Sequence, residues 1–513
     1  CDNEDGSKNN GAAKEEQSTP DNIQKALDVE LNSNRDRIVS SMGPVDHAAQ
    51  ILSVPTIDSS FDEFHSQLQK WVEGNVIEPF PEGSVCELLS DENEKEVKLE
   101  VLEGEMYYGK GGMGNIPLAM REHCSSFNDD DRFGEDGERK TRTRSFRILQ
   151  DVWVSPSNGV KYIGNKDEMK IDLSQPQWEL RAGKRSLGKY HRLVIAHNGK
   201  CADRIMQKTP AKAFHSLLRT KFAPYVPQWG GKEMTLNSIY SLVFAVKSEK
   251  GSGGGGDGGM SGLSSPIAKA VSKLAQNEKN VFTIMIKNEP NLRLLSCNTL
   301  KHHHKQQAPN NSDSNIEVYT LLSSPKFGKK FKGPQENLPL DLSQKVVMKM
   351  LESLEQSLNL EDGSVVDSVV DLRLQLWGAG IPMNTWQSEN SSGGVDGFVY
   401  DATFGVGACG DWILDPSIAG AWDSGRRLAN WMLDGDKSVG LPDRSSKEGN
   451  GKFVPSRVAL GSGIGTIPSS PNSAYEFPPP NEQSNRPRGQ PRSRSPRGRN
   501  GSKNNGNRRK KSP

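Results

Sequence analysis

A run of small residues that ends in a carboxylate, GVGACGDW from Gly405 to Trp412, is the part of the sequence best suited to hold a flat ligand. Glycine lets a backbone approach a ligand closely and turn with positive φ. Asp411 can accept hydrogen bonds from hydroxyl groups, and the helix predicted from about Ile418 offers N–H groups and its positive dipole end. The pattern predicts a buried strand, a tight turn and a ligand-contacting helix. A strand that only packs against a helix is the alternative.

Other residues that could do chemistry are scattered along the chain. His47 is either a pocket residue or a satisfied core histidine, and Trp377 is a candidate wall of a substrate pocket. His197 ends a predicted strand, where a structural hydrogen bond is expected. Residues 302–304 are consecutive histidines, but their polar surroundings predict a solvated loop, and no metal site is expected.

The alternation of apolar residues predicts the elements that must position these groups. Strands of an antiparallel sheet are predicted at 239–246, 281–286 and 318–323. A further strand is predicted at 145–154, and a helix at about 342–360 with Asp341 or Ser343 as its capping residue.

Composition indicates a large α/β protein with additions that do not join a core. Only 33% of the 513 residues are hydrophobic, and 51 glycines and 30 prolines indicate extended unfolded segments. The six cysteines have no metal-ligand spacing, which favours a reduced compartment, and Cys201 and Cys409 are expected to be small buried residues. No apolar run reaches the length of a bilayer span, so no membrane partner is expected.

Four segments together resemble one family, the renalase-like FAD/NAD(P)-binding oxidoreductases of the flavin-containing amine oxidase superfamily, including their plant plastid members. The stretch that begins DHAAQ at Asp46 looks like an Asp-His-Gly segment of that family, although Ala48 stands where the glycine is usual. The other three are MYYGKGGMGNIPLAM at 106–120, LVIAHNGKCADR at 193–204, and LQLWGAGIPMNTW with the Gly405 region at 374–433. Their order and spacing agree with the family.

The resemblance implies a bound FAD that accepts a hydride from a small substrate, nicotinamide-like or an amine, and is reoxidised by O2. It implies that Gly407, Gly410 and Asp411 lie along the ribityl and pyrophosphate groups. The helix start at Ile418, Ala419 and Ala421 would lie near the isoalloxazine. Val152 would contact the adenine through its backbone, and Trp377 and His47 would line the substrate pocket. The flavin would carry the reaction, so no catalytic side chain is assigned.

One expected motif is not found in the sequence. The family binds the FAD pyrophosphate with a strand, a G-x-G-x-x-G turn and a helix near the N-terminus, and no such run precedes Asp46. The glycine cluster Gly111–Gly114 is expected to be a poor substitute, because no apolar strand is expected to lead into it. Residues 1–40 are polar and charged and are expected to be disordered or wrongly assigned, and the chain begins with Cys1. A gene model that lacks an N-terminal exon is the preferred explanation, and a real loss that cripples FAD binding is the alternative.

The expected fold class is α/β, with a discontinuous Rossmann-like FAD-binding domain of three layers and an α+β substrate domain built on an antiparallel sheet. The FAD-binding domain is expected to comprise 41–60, 106–210 and 370–435. The substrate domain is expected to comprise 61–105 and 211–369, with a flexible glycine-rich insert at 248–264.

Residues 436–513 are expected to form a disordered tail rich in Ser, Arg, Gly and Pro. Its basic end could bind nucleic acid nonspecifically or act as a nuclear address, and a solvated tail without a partner is equally open. Plastid, cytoplasm and, less strongly, nucleus are all possible compartments. The main alternative function is a degenerate, non-catalytic scaffold or RNA-associated protein that uses this tail. A desaturase is a weaker third possibility.

Overall fold

The computed structural model describes part of the chain, and all of the described residues belong to one compact unit that spans Cys1–Ser473. The described residues are 19–31, 44–53, 62–90, 97–126, 148–149, 152–155, 158–164, 175–212, 214–215, 221–222, 233–234, 236–248, 264–276, 280–287, 289–303, 316–335, 337–382, 397–401, 404–415 and 417–434. The predicted tail lies outside them.

A seven-stranded sheet is the largest element of this unit. In spatial order its strands are β16 (Val369–Pro382), β12 (Leu236–Lys247), β15 (Ile316–Ser323), β14 (Leu292–Cys297), β13 (Thr283–Ile286), β3 (Val85–Ser90) and β4 (Val97–Val101). Every neighbouring pair is antiparallel except β13 with β3. The antiparallel sheet predicted from 239–246, 281–286 and 318–323 is therefore confirmed.

The remaining strands form small sheets. One has the order β1 (Leu52–Ser53), β5 (Met106–Gly109), β2 (Ile77–Pro79), and a second has the order β17 (Val399–Asp401), β18 (Val406–Ala408), β9 (Leu193–Ile195). The antiparallel meander β6 (Val160–Tyr162), β7 (Trp178–Ala182), β8 (Arg185–Tyr190) and the short parallel pair β10 (Lys221–Phe222), β11 (Glu233–Met234) complete the set in the described part of the chain.

The helices join these sheets. They are α1 (Asp21–Leu31), α2 (Asp62–Glu73), α3 (Asn115–Ser126), α4 (Gly199–Met206), α5 (Pro266–Leu274), α6 (Asn298–His303), α7 (Pro325–Lys330), α8 (Leu340–Ser357) and α9 (Ile418–Asp434). With mixed sheets and helices between them, the α/β class expected from the sequence is confirmed. No described helix has both the length and the apolar character that crossing a bilayer requires.

The two faces of the seven-stranded sheet differ in character. One face carries alternate side chains of β12 and β16 into the main apolar core beneath α8, among them Tyr240, Leu242, Leu374 and Leu376. Helix α8 begins after Pro339 without a side-chain cap. The prediction of Asp341 or Ser343 as its cap is therefore wrong, because both lie inside the first turn.

Helix α1 packs against the same core. Ile23 and Leu27 are buried, and the Asn22 side chain donates to the carbonyls of Val366 and Val369, at 2.8 and 3.1 Å. The expectation that residues 1–40 are disordered is therefore wrong for Asp21–Leu31. Apolar residues at 23, 26 and 27 have the spacing of a helix stripe, and this stripe is sufficient to attach an otherwise polar helix.

Glu317 fixes the start of α5 from the neighbouring strand. Its carboxylate accepts from the backbone N–H groups of Ser264 and Ser265, at 2.8 and 3.0 Å, and from the Tyr319 hydroxyl at 2.6 Å. Ser264 is also joined to Ser248, at 2.7 Å between the two hydroxyl oxygens. The residues at both ends of the predicted glycine-rich insert are thus held together, while 249–263 lie outside the described residues.

Strand β16 links the two expected domains. It begins at Val369 and pairs with β12 as far as Pro382, although 370–435 was expected to belong to the FAD-binding domain. Residues 370–382 therefore lie with the strands assigned to the substrate domain. The division into two domains remains a prediction.

Candidate functional site

The predicted turn after a buried strand is present at the end of β18. Strand β18 is parallel to β9, and the Cys409 N–H donates to the Ile195 carbonyl at 3.1 Å. Gly410 has φ +148°, a backbone angle that residues other than glycine rarely adopt. Its N–H donates to the Ser424 hydroxyl at 2.9 Å. Helix α9 thereby holds the turn from the side.

Trp412 fixes the turn to the end of β9. Its ring is buried, and its indole N–H donates to the His197 carbonyl at 3.1 Å. His197 therefore makes a structural hydrogen bond, as expected, although through its backbone. Cys409 is buried beside this turn, and burial raises the pKa of its thiol to about 11. A thiol of that pKa stays protonated and packs as a small apolar group.

The start of α9 is capped by a residue that the sequence reasoning did not identify. The Ser417 hydroxyl accepts from the Gly420 N–H, and its carbonyl accepts from the Ala421 N–H, both at 2.9 Å. A side chain at position 420 would place its Cβ 2.1 Å from the Asp415 carbonyl oxygen. Gly420 is therefore required, because the chain before the helix lies directly on its first turn.

Two partly buried carboxylates, Asp411 and Asp415, lie in this turn and have few hydrogen-bond donors. Burial, together with the smaller effect of the nearby Asp415, raises the pKa of Asp411 to about 6, against hydrogen bonds from the backbone of Trp412 and Asp411. Burial also raises the pKa of Asp415, against a hydrogen bond from Ser417. The Oδ2 atom of Asp415 is buried and has no hydrogen-bond partner among the described residues. Such an atom is costly unless a donor reaches it.

The other residues predicted to contact a cofactor have mixed positions. A Cβ at Gly407 would lie 3.0 Å from both Leu428 and Tyr400, so the missing side chain there serves helix–strand packing. Ala419 is fully buried and Ile418 partly buried in an apolar cluster that includes Leu52 and Phe64, whereas Ala421 is exposed. Of the predicted cofactor contacts, the adjacent residues Gly410 and Asp411 lie at the turn, whereas Gly407, Ile418 and Ala419 serve packing.

Val152 does not lie in a strand. Residues 152–155 have no regular structure, Val152 is half-buried, and the next residue, Trp153, is 68% exposed. The strand expected at 145–154 is therefore wrong for its described C-terminal part. Residues 145–147 and 150–151 lie outside the described residues.

A second polar centre surrounds Asp46. Its Oδ2 atom is 2.8 Å from Nζ of Lys301, which is fully buried, and 3.4 Å from Nε2 of His302. Its Oδ1 atom accepts from the Met113 N–H at 2.7 Å. Burial would raise the pKa of Asp46, but Lys301 and His302 outweigh that effect and hold the pKa well below its usual range.

The backbone of the same segment is fixed on the seven-stranded sheet. The Asp46 carbonyl accepts from the Thr320 hydroxyl at 2.9 Å, and its N–H donates to the Asn298 side chain at 3.3 Å. The Lys301 ammonium also donates hydrogen bonds to the carbonyl and side-chain oxygens of Gln50, both at 3.2 Å. Segment 44–53 is therefore clamped between the sheet, α6 and the turn before α3.

Two expectations are corrected here. His302 was expected in a solvated loop, but its side chain is fully buried in α6 and packs edge-on against Tyr108, with ring centroids 6.3 Å apart. The cluster Gly111–Gly114 was expected to have no apolar strand before it, but the largely buried β5 leads into it. The Asp46 carboxylate occupies the donor at Met113 that a phosphate would otherwise use, so this turn does not fit a pyrophosphate.

The structure brings His47 and Trp377 onto the same face of the seven-stranded sheet. The His47 carbonyl accepts from the Ser241 hydroxyl in β12, and Trp377 pairs with Ile239 two residues away on that strand. No group of three or more His, Cys, Asp or Glu residues in the described part of the chain has the geometry of a metal site.

Segment 46–53 connects this face to the start of α9. It runs from Ser241 and Thr320 to β1, whose Leu52 packs in the apolar cluster that also contains Ala419 of α9. Leu52 is five positions after His47, a span of at most about 18 Å. This short segment therefore reaches from the polar face of the seven-stranded sheet to the apolar cluster at the start of α9.

Comparison with known proteins gives structural neighbours only. No protein family model matches the chain, and no curated protein matches its sequence. One neighbour is a putative protoporphyrinogen oxidase from Exiguobacterium sp. 255-15, at 8% identity over 50% of this chain and 44% of that one, with a TM-score of 0.27. Another is a flavoprotein/dehydrogenase from Cytophaga hutchinsonii, at 10% identity over 81% of this chain and 76% of that one, with a TM-score of 0.33. The match therefore spans under half of the first neighbour, and similarity at this level identifies neither a cofactor nor a substrate.

Proposed function

We propose that the protein is an FAD-dependent oxidoreductase that takes a hydride from a small reduced substrate, with O2 as the final acceptor. The observation that carries the proposal is the pair of partly buried carboxylates, Asp411 and Asp415, beside the start of α9. Asp415 has an acceptor atom with no partner among the described residues, and burial raises the pKa of both groups. A ligand with several hydroxyl donors would satisfy them.

The ribityl part of FAD has this chemistry, and the sequence resemblance independently assigns Asp411 to it. Asp411 and Asp415 would accept from the hydroxyl groups. Gly410 would allow close approach of the chain, and the start of α9 would supply N–H groups that have no intrahelical acceptor. When bound, the flavin supplies the redox chemistry, since no protein side chain of the site can accept a hydride.

The pyrophosphate part of FAD has no counterpart among the described residues. The strand, glycine turn and helix formed by β5, Gly111–Gly114 and α3 are the nearest arrangement in kind. However, the anionic Asp46 already accepts the Met113 N–H there, 2.7 Å away. A negative carboxylate in that position would repel a phosphate. The described residues therefore fit the ribityl part of the cofactor at the Asp411 turn and do not fit its pyrophosphate.

The rest of the site would orient the substrate. The Asp46 clamp holds His47 on the polar face of the seven-stranded sheet, and the imidazole stays neutral at physiological pH because burial and Arg373 lower its pKa to about 4, with Asp46 acting in the opposite direction. The group can therefore accept or donate a hydrogen bond without charge. The indole of Trp377 provides a flat wall on the same face.

The test is a titration of the purified full chain with FAD, followed by flavin absorption of the protein fraction after gel filtration. The wild-type chain is expected to retain the flavin, and Asp411→Ala is expected to bind it at least about tenfold more weakly, as loss of a hydrogen bond to a charged group predicts. Asp341→Ala, at an exposed position in α8, is the matched control and should bind like the wild type.

Two results would contradict the proposal. Flavin absorption in neither the wild-type chain nor its control would favour the non-catalytic scaffold. Equal flavin content in the Asp411→Ala variant would reject this turn as the binding site even if the protein binds FAD elsewhere. Circular dichroism of each variant separates both outcomes from loss of the fold.

A further inference from the structure

The outer face of β12 and β16 collects hydrogen-bonding groups that the structure leaves without partners. Ser241 donates to the His47 carbonyl, so its side chain marks the face on which His47 lies. Residues directly opposite in an antiparallel pair point to the same side, and residues two apart along a strand do so as well. Ser241 is opposite Gln375, and the neighbours of Gln375 on that side are Arg373 and Trp377.

The register across this region is continuous. Ile239, Ser241 and Val243 of β12 pair with Trp377, Gln375 and Arg373 of β16, and the irregularities of this strand pair fall outside these positions. The intervening residues Leu374 and Leu376 point into the main core on the opposite face. The positions of Arg373 and Trp377 beside His47 therefore follow from the strand pairing.

Three nitrogen groups on this face have no hydrogen-bond or ion-pair partner in the described part of the chain. The Nδ1 atom of His47 and the Nε1 atom of Trp377 are both buried without a hydrogen bond. The exposed Arg373 side chain, close enough to influence His47 electrostatically, takes part in none of the ion pairs found among the described residues. An indole and a guanidinium can only donate hydrogen bonds. The missing partner should therefore be an acceptor.

The charges on this face also favour an acceptor. The carboxylate of Asp46 acts electrostatically on His47, but Lys301, His302 and the Met113 N–H already engage its two oxygens. Asp371 lies on the same side of β16, two residues before Arg373, and its Oδ1 atom accepts from the Leu372 N–H at 2.8 Å. The groups that hold the backbone of this segment are uncharged: Ser241 of β12 bonds to His47, and Thr320 of β15 and Asn298 of α6 bond to Asp46.

We infer that this face binds the oxidisable substrate through a carboxylate, held by Arg373 and the Trp377 indole beside His47. The inference rests on the proposed function and narrows its substrate class to acids, away from simple protonated amines. A guanidinium holds a carboxylate with two parallel hydrogen bonds. An ammonium group in the same position would meet a cation and an indole donor and would be repelled.

The experiment uses a pair of probes of equal shape and opposite charge, benzoate and benzylamine, with the purified full chain. Binding is measured by calorimetry, both without added FAD and with it. Benzoate is expected to bind saturably at millimolar concentrations or below, and benzylamine is expected not to compete with it. Because burial and Arg373 hold the pKa of His47 near 4, benzoate affinity should not change between pH 6 and pH 8.

Variants connect the binding to the residues. Arg373→Gln should weaken benzoate binding by about tenfold or more, and Trp377→Phe by about threefold, as loss of a charged and a neutral hydrogen bond predict. Arg373→Lys should recover part of the loss because it keeps the charge but not the paired geometry. Arg185→Gln, an exposed position in β8, is the control and should leave binding unchanged.

Saturable binding of benzylamine in preference to benzoate would overturn the inference, as would the absence of benzoate binding. An unchanged benzoate affinity in Arg373→Gln would overturn it as well. Failure of the proposed function is seen separately, as the absence of flavin absorption in a chain that still binds benzoate.

Discussion

The carboxylate of Asp46 is buried, whereas those of Asp411 and Asp415 are partly buried, and their surroundings differ as well. Asp46 is 2.8 Å from the buried Lys301 ammonium and accepts a backbone N–H at 2.7 Å, and its pKa lies well below the usual range. Asp411 and Asp415 have no nearby cation in the described residues, and burial raises the pKa of both. The first arrangement favours the folded chain. The second disfavours it until a ligand supplies donors, which is how binding sites often differ from structural ones.

The largest expected effect on stability is at Asp46, whose carboxylate has its ion-pair and hydrogen-bond partners in the fold. Lys301→Met should lower the free energy of unfolding by about 3–5 kcal/mol, because it leaves the Asp46 charge buried without its partner. Chemical denaturation measures the change. Asp46→Asn combined with Lys301→Met should be less harmful than Lys301→Met alone, since the uncompensated charge is then absent.

Lys349→Met is the matched control for that change. Lys349 and Glu352 form an ion pair at 3.9 Å, with side chains 44% and 39% exposed, and exposed pairs contribute about 0–1 kcal/mol. Similar losses for the Lys301 and Lys349 variants would contradict the view that Asp46 depends on its buried partner.

The next largest effect is a dependence of the free energy of unfolding on pH, caused by Asp411. The pKa of Asp411 is raised from 3.8 to about 6, so the folded chain binds a proton more readily than the unfolded chain and loses stability as pH rises through that window. Asp411→Asn should match the wild type near pH 4 and exceed its stability at pH 7.5, by up to about 3 kcal/mol. Unfolding curves at the two pH values measure the difference.

The Asp411→Asn variant separates the cost of this carboxylate to stability from its contribution to ligand binding. In the absence of ligand Asp411→Asn should gain stability at neutral pH, whereas removal of the same carboxylate should weaken FAD binding. A gain of equal size at both pH values would show that the effect is not due to titration of Asp411.

Substitution of two glycines in α9 should change stability by an intermediate amount, with a loss at one position and a gain at the other. Gly420→Ala should lower stability by about 1–3 kcal/mol, since its Cβ would lie 2.1 Å from the Asp415 carbonyl oxygen. Gly425→Ala should raise it by about 0.5–1 kcal/mol, because nothing lies within 4 Å of the added Cβ and alanine favours a helix. Thermal unfolding of both variants tests the pair, and a stable Gly420→Ala protein would mean that the chain before α9 lies elsewhere.

The smallest expected effect on stability is at Asn198, which lies between β9 and α4. The Asn198 side chain accepts the Cys201 N–H at 3.1 Å and caps α4, so Asn198→Ala should cost about 1 kcal/mol. Asn430→Ala, exposed in α9, should cost less than about 0.5 kcal/mol. The pH dependence assigned to Asp411 should persist in Asn198→Ala, and its disappearance would show that the capped turn also governs the carboxylates.

Much of the turn at Gly410 could be predicted from the sequence because its signals are local. Small residues before a carboxylate and a helix of mixed small and apolar residues need no distant partner to be recognised. The β12, β13 and β15 strands were predictable for the same reason, since their apolar residues form short uninterrupted or alternating runs. The confirmed fold class follows from such local patterns.

The Asp46 centre could not be predicted because it joins residues that are far apart in the chain. Lys301 and His302 belong to a polar run that indicates a loop, and only the packing of α6 against Asp46, 255 positions away from Lys301, buries them. Likewise, Arg373 lies beside His47 only through the register of β12 with β16. Helix α1 has one apolar stripe in a polar segment, which is too weak a signal to distinguish it from an unfolded end.

The contact between Glu317, Ser248 and Ser264 has a consequence for how the chain can vary in length. Ser248 and Ser264 meet at 2.7 Å, so any segment placed between them begins and ends at the same point on the surface of the fold. The entropy of closing such a segment grows only slowly with its length. Residues between these two serines can therefore be added, shortened or replaced by a tag with little change in stability, while Glu317→Ala would remove that tolerance.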